Sequence, residues 1–389
     1  MANTERIRNV AKTVTETYKN GNRVVVVVSA QGDTTDDLIA KANEINLNAS
    51  KRELDVLLSC GELMSASLLA MAIEALSCPV ISLTGWQAGM QTDSNHSIAR
   101  LINIDKQRLM RELEEHKIVI VAGFQGINDN DDITTLGRGG SDTTAVALAA
   151  VLGADLCQIF TDVDGVYTAD PRIVPEASKL SEISYDEMLE LASLGANVLN
   201  NRSVELAQKY NVKLQVLSSM NKAGGTYVKE ADEVEKALVR GVTRDNDTAR
   251  ISLLDIDDLP GKAYEVFSIL SEKNIIVDLI IQSVGRDDKQ DMSFTVASAA
   301  LKDALDVLAA NSAMINAREV IWDEDVSKVS IVGSGMAANP GVAATMFKAL
   351  YQADINIQMI STSEIKVSVL IAQKDAERAV VALHKHFNL

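Results

Sequence analysis

Leu136-Gly137-Arg138-Gly139-Gly140-Ser141-Asp142-Thr143-Thr144 leads into an apolar helical run that ends near Leu152. Three glycines around Arg138 let a backbone pass very close to something bulky, and free amides at the start of the next helix favour an anion. Phosphate is the natural candidate. After a short apolar block comes a second loop, Thr161-Asp162-Val163-Asp164-Gly165-Val166-Tyr167-Thr168-Ala169-Asp170-Pro171-Arg172.

The blocks at 24–28 (all valine), 118–121 and 156–160 are short and apolar or β-branched, and each is followed by Gly, Ser or Asp and then a helical pattern. Such blocks read as buried strands of an α/β sheet. Helical patterns alternate with them at 5–19, 52–76, 105–115, 142–152, 184–194 and 204–210. Ile7, Val10, Ala11 and Val14 give the first of these an amphipathic stripe that needs a sheet to cover. The expected architecture is a three-layer α/β sandwich.

A chain of 389 residues is too long for one core, so more than one domain is expected. Its net charge of −17 opposes nucleic acid and anionic membrane as partners, while leaving room for ATP at local positive groups. The three cysteines, Cys60, Cys78 and Cys157, sit among apolar residues and read as reduced core positions of a cytoplasmic protein. No apolar run is expected to approach the roughly 18 residues of a membrane span, and Glu5, Arg6, Arg8 and Lys12 are too charged for a signal peptide.

Beyond Gly224 and Gly225 the texture changes, with a charged helical pattern at 229–236 leading into an internal repeat. A shift of 80 residues superposes Pro260 and Gly261 on Pro340 and Gly341, Phe267 on Phe347, Leu270 on Leu350, Ile280 on Ile360 and Ser283 on Ser363. Each copy reads strand, Pro-Gly turn, helix, strand, strand, helix. A βαββαβ unit this small leaves sheet edge and face bare, so two copies are expected to pair with each other or across a dimer, making clefts suited to small effectors.

These residues resemble the aspartokinases, kinases that phosphorylate the side-chain carboxylate of aspartate. The likeness runs through Ser29, Ala30 and Thr35, Gly61-Glu62-Leu63-Met64-Ser65, Thr84-Gly85-Trp86-Gln87-Ala88-Gly89, both loops above, and Ser361-Thr362-Ser363-Glu364-Ile365. It covers essentially the whole chain. It implies a carbamate-kinase-like amino-acid-kinase sandwich over 1–230, a linker over 231–247, and two ferredoxin-like ACT modules over 248–326 and 327–389. It also implies ATP and Mg²⁺ as cofactors, a place at the head of lysine, methionine and threonine synthesis, feedback by lysine or threonine, and a homo-oligomer joined through the ACT modules.

Without the family, the chemistry points the same way. A carboxylate acceptor is already ionised at neutral pH and needs no general base, and none of the four histidines lies beside the glycine loops. Positioning and charge neutralisation then carry phosphoryl transfer. By resemblance, Arg138 holds the substrate α-carboxylate in a two-bond fork, where the plain alternative is a surface arginine. Asp142, on the first turn of the helix, either orients a cation near phosphate or merely caps. By resemblance Glu62 accepts the α-ammonium; the alternative is an exposed helix glutamate. Thr35 and Ser29 look like substrate contacts at a strand end, while an ordinary strand-to-helix turn with Thr34 or Thr35 as cap explains the same letters equally.

Thr161, Asp162, Tyr167 and Arg172 look like the family's nucleotide loop, with Tyr167 beside base or ribose and Arg172 toward the phosphates. Asp162 and Asp164 also invite a metal-pair reading, but alternate carboxylates before Gly165 suit a tight turn better. Residues 128–132 lack calcium-loop spacing and read as a solvated hairpin, and His96, near Asp93 and Arg100, reads as structural. The expected effector pocket is lined by Gly261, Ala263, Asp278 and Gln282 of the first repeat and by Asn356, Ile357 and Ser361 of the second.

Two departures stand out. Aspartokinases open with a strand and a Lys-Phe-Gly-Gly-Thr-Ser type loop that places a lysine on the transferring phosphate, whereas Ala2-Asn3-Thr4-Glu5-Arg6-Ile7 corresponds to the residues just after that loop. A chain without that lysine is expected to turn over weakly or not at all, which opens the alternative of a catalytically dead, amino-acid-binding regulatory subunit. Many relatives also carry a phosphate-contacting lysine where this chain has Asn197, and His-Pro at Asn200 and Asn201. A glutamate kinase is the rival enzyme reading, opposed by the doubled tail and by the 61–65 motif.

Overall fold

In the computed structural model, residues 3–196, 198–220, 224–230, 238–285, 288–336 and 339–389 are described. The chain divides into two compact units. The first comprises Met1–Gly165, Ser181–Tyr185 and Val198–Glu230, and the second Val166–Leu180, Asp186–Asn197 and Ala231–Leu389.

The first unit is built on parallel strands Val25–Val28, Ile118–Ala122 and Val80–Leu83, with Ile118–Ala122 in the centre and fully buried. Alternation sorts their side chains. Val24, Val26, Val28, Ile118 and Ile120 face Ile7, Ala11 and Val14 of helix Thr4–Lys19 and Ala66, Leu69 and Ile73 of helix Lys51–Glu74. Val25, Val27, Val119 and Val121 face the other way, onto Leu109 and Leu113 of helix Gln107–Glu114 and Leu148 of helix Gly140–Leu152. The result is the expected α/β/α sandwich, because a strand buried on both faces needs apolar residues at every position. A second sheet carries parallel strands Cys157–Thr161 and Leu214–Ser218, with Thr226–Lys229 and Glu182–Ser184 beside them. A third, four-stranded sheet includes Gln125–Ile127 and Ile133–Thr135, joined through the hairpin at 128–132, where the Asn128 side chain accepts from the amides of Asn130 and Asp132.

Helix Lys51–Glu74 is capped by Ser50, whose hydroxyl accepts from the Glu53 amide, and its 24 residues are long and apolar enough to cross a membrane by length and composition. That departs from the expectation of no run of this length. It packs as a core helix, with half of its most apolar window buried and with Asp55, Ser59, Glu62, Ser65, Leu69 and Ile73 on its covered side. Cys60 lies on the other side and is exposed, so only Cys78 and Cys157 are core cysteines; all three are free. Helix Thr34–Ile45 follows the first strand and carries a single buried residue, Ala42, so its apolar stripe is faint.

The second unit holds two four-stranded antiparallel sheets. Strands Val277–Gln282, Lys289–Val296, Ala249–Asp257 and Glu319–Asp323 lie side by side in that order, packed on helices Lys262–Glu272 and Leu301–Ala310 around Phe294, Val266, Leu270 and Leu308. Gly241–Asp245, Val326–Val332, Lys366–Ala372 and Met359–Thr362 form the other, packed on helices Val342–Gln352 and Ala376–Phe387. The repeat is visible in the backbone: Gly261 and Gly341 cap corresponding helices at φ of 96° and 101°, where other residues strain. Of the expected linker, 231–237 lies outside the described residues and Gly241–Asp245 is a strand. It precedes the first repeat yet edges the second repeat's sheet, because an edge strand joins whichever ladder offers free backbone groups. Within the charged pattern at 229–236, Lys229 ends a strand and not a helix.

Candidate active site

The candidate substrate residues gather at the carboxyl ends of Val25–Val28 and Ile118–Ala122, which run parallel with Val28 opposite Ala122. In open α/β sheets this edge is where ligands bind. Ser29 and Ala30 leave the first strand, and Ser29 is exposed. The Ala30 amide donates to Glu62 Oε1 at 3.0 Å. Helix and strand end approach so closely here that a Cβ on Gly61 would lie 2.8 Å from that of Ala30. Glu62 is only 4% exposed, which excludes the surface-glutamate alternative, and among the described residues its Oε2 has no hydrogen-bond partner. Burial pushes its carboxyl up to about 7, against the pull of the Ala30 amide. A buried acceptor without a donor marks a place for one from outside.

From the neighbouring strand, Gly123 and Phe124 reach the start of helix Gly140–Leu152. The Phe124 amide donates to Thr144 Oγ1 at 3.2 Å, its carbonyl accepts from the Leu136 amide at 2.8 Å, and a Cβ on Gly123 would sit 2.8 Å from Ser141 Oγ. Gly137 and Gly139 take left-handed φ of 79° and 69° on either side of Arg138, whose side chain is exposed. The helix cap is Gly139, with no side-chain cap bond, so Asp142 is a first-turn residue and not the cap. Burial raises the Asp142 carboxyl above its ordinary range. Burial and then the nearby Asp142 push the Cys157 thiol up to about 12, keeping it inert. Thr35 is half-buried in the first turn of helix Thr34–Ile45, whose cap is Asp33, so the capping alternative for Thr35 does not hold.

The nucleotide-loop candidates are divided between the two units. Thr161 ends a strand of the first unit and donates to Asp162 at 3.0 Å, whereas Tyr167 and Arg172 belong to the second unit. Tyr167 bridges to Lys179, and Arg172 is paired with Asp170 at 2.7 Å while remaining 88% exposed. Asn197 lies outside the described residues. Among the described residues no group of three or more His, Cys, Asp or Glu side chains is placed to hold a metal.

His96 is structural, as expected, but through an unforeseen partner. Fully buried Asp55 accepts from His96 Nδ1 (3.0 Å), the Ser97 amide (2.9 Å) and hydroxyl (3.3 Å), and the Thr135 amide (3.0 Å) and hydroxyl (2.7 Å). This carboxylate fixes the residue that precedes the Leu136 loop. Asp55→Ala is expected to destabilise the protein by about 3–5 kcal/mol, measured by urea denaturation, because several buried donors lose their acceptor together. A loss below about 1 kcal/mol would contradict that role. Nothing in the local sequence announces Asp55; its partners lie 41 to 80 residues away.

In the second unit, Asp278 of the first repeat pairs with Lys328, a buried lysine of the second, which also lies 3.4 Å from Asp245. Gln282 bonds Gln290. Gly261, Ala263 and Asn356 are exposed, and Ile357 and Ser361 half-buried. Ile357 packs against the second repeat's core.

Comparison with known proteins fits this arrangement. Residues 1–218 match the amino acid kinase family and residues 329–387 an ACT domain. The chain is 48% identical, over 395 aligned positions, to an aspartokinase of Mycolicibacterium smegmatis, covering 100% of this chain and 94% of that one. Its structure is similar to that of E. coli aspartokinase III in complex with aspartate and ADP, with a TM-score of 0.81 at 26% identity over 99% of this chain and 96% of that one. It is likewise similar to the same enzyme in complex with lysine and aspartate, with a TM-score of 0.77 at 26% identity over 99% and 97%.

Proposed function

The chain belongs to the aspartokinases, and on that footing we propose that it moves the terminal phosphoryl group of ATP to the side-chain carboxylate of L-aspartate, with Glu62 and Arg138 recognising the amino acid. The observation that carries this reading is the unpartnered, buried Glu62 Oε2 at the same sheet edge as the Arg138 loop. Glu62 takes the ammonium and Arg138 the α-carboxylate, leaving the side-chain carboxylate free to face the amides that open helix Gly140–Leu152. Ser29 and Thr35 line the same strand end. The acceptor arrives ionised, so the residues orient and neutralise and remove no proton.

ATP supplies the phosphoryl group. Its Mg²⁺ suits Asp142, a half-buried carboxylate whose raised affinity for a proton comes from burial. Thr161, Asp162, Tyr167, Arg172 and Asn197 are proposed to meet the nucleotide. The dead-subunit alternative is not favoured, since relatives of nearly the same length are kinases in name along their whole span. Trapping the acyl phosphate with hydroxylamine tests the reading: product with aspartate and MgATP and none with glutamate is expected, and equal product from both would overturn it.

We further propose that both repeats are ACT modules binding lysine or threonine, that copies join through the edge strands Val277–Gln282 and Met359–Thr362, where Ile280 and Ile360 are exposed, and that the protein works in the cytoplasm. The effector's ammonium would compete with Lys328 for Asp278. Asp278→Asn is expected to raise the half-inhibitory effector concentration at least tenfold while leaving the uninhibited rate within about twofold. Unaltered inhibition would remove Asp278 from the pocket.

A further inference from the structure

We propose that Asn200 and Arg202, at the start of helix Asn201–Tyr210, are positioning residues that fix the direction of Arg138. The inference rests on the reading of Arg138 as the clamp on the substrate carboxylate.

Asn200 has two partners. Its Oδ1 accepts from the Arg202 amide at 3.0 Å, capping the helix, while its Nδ2 donates to the carbonyl of Arg138 at 3.1 Å. The half-buried Arg202 guanidinium spans two backbone carbonyls, donating from Nη1 to Leu136 at 3.0 Å and from Nη2 to Ala99 at 2.9 Å. One helix end therefore holds the peptide carbonyls of Leu136 and Arg138, before and after Gly137. A Cβ on Gly139 would collide with the Asn200 amide, so loop and cap are fitted to each other.

The loop needs this support. Gly137 and Gly139 are both left-handed, and glycines in that region move between conformations at little cost. The loop's own backbone restrains it through the Gly140 amide on the Gly137 carbonyl at 2.9 Å. An exposed guanidinium must meet a carboxylate as a planar fork, and small errors in its placement weaken both bonds at once. Arginine at 202 suits the task because its charge does not titrate in the working range and its fork reaches two acceptors; a lysine reaches them only as a point charge.

The test uses Asn200→Asp, nearly isosteric, which keeps the capping acceptor but sets an anion against the Arg138 carbonyl. KM for aspartate is expected to rise about tenfold, with KM for ATP within twofold and the melting temperature little changed. Arg202→Lys should show the same split, more weakly. A rise in KM for aspartate with no matching rise for ATP separates positioning from general loosening. The decisive comparison is Asn200→Asp in an Arg138→Ala background: if Asn200 acts through Arg138, the second change adds nothing to the loss in kcat/KM for aspartate. An additive loss, equal shifts in both KM values, or an unchanged KM for aspartate would each overturn the proposal. If Arg138→Ala alone leaves aspartate kinetics intact, the reading of Arg138 fails, a distinct result from intact kinetics in the Asn200 and Arg202 variants alone.

Discussion

Arg138→Ala is expected to lower kcat/KM for aspartate by about a thousandfold, the largest single effect in the first unit. Two charge-assisted hydrogen bonds to a carboxylate contribute on the order of 3–4 kcal/mol when substrate and transition state share them, and that energy converts to two or three decades of rate. The loss should fall mainly on KM for aspartate, since the α-carboxylate is bound equally before and during transfer. KM for ATP should hardly move. Arg138→Lys should recover only part, because a single ammonium cannot reproduce the fork. Initial-rate kinetics with each substrate varied in turn would decide the matter, and a fall smaller than tenfold would assign the α-carboxylate to another group.

Glu62→Gln should act in opposite directions on stability and on binding. In the free protein the carboxyl is raised by burial from 4.5 to about 7. Between those values the folded state holds a proton that the unfolded chain has released, so stability declines as pH climbs through the window and the full cost of the buried charge applies above about 7. A shift of this size corresponds to about 3 kcal/mol as an order of magnitude. Glutamine escapes that cost. The variant is therefore expected to melt several degrees higher than the parent at pH 8 and no higher at pH 4.5. The same change removes the negative partner of the substrate ammonium, so KM for aspartate should rise about a hundredfold at pH 8. In the parent, aspartate affinity should strengthen from pH 6 to 8 as Glu62 ionises, a trend the variant lacks. Thermal melts and aspartate titrations at the two pH values check both halves. A variant that loses stability at pH 8, or that binds aspartate normally, would contradict this account of the side chain.

Periodicity made the sandwich legible. Strands with apolar side chains at every position, such as Ile118–Ala122, announce a sheet covered on both faces, and the stripe of Ile7, Ala11 and Val14 names its cover. Glu62 was readable because a carboxylate among leucines asks for a partner. Other features depend on which distant residues meet. Asp55 is unremarkable in its helix until Ser97 and Thr135 arrive, and the role of Asn200 depends on the Arg138 carbonyl, 62 residues earlier. The strand Gly241–Asp245, within the stretch expected as linker, shows the same limit: its sheet is chosen by a ladder edge far along the chain.

The segment Val166–Leu180 lies inside the span that matches the amino acid kinase family, yet Ala169 and Val174 are buried in one core with Met346, Leu350 and Val380 of the ACT-matching region. Ancestry and packing thus draw their borders in different places. A gene cut at the last kinase-matching residue would strip the covering from those apolar side chains and leave them wet. Excising the regulatory tail would then be an injury to the kinase portion, and any hybrid that grafts a foreign tail must supply a surface shaped to receive this stretch.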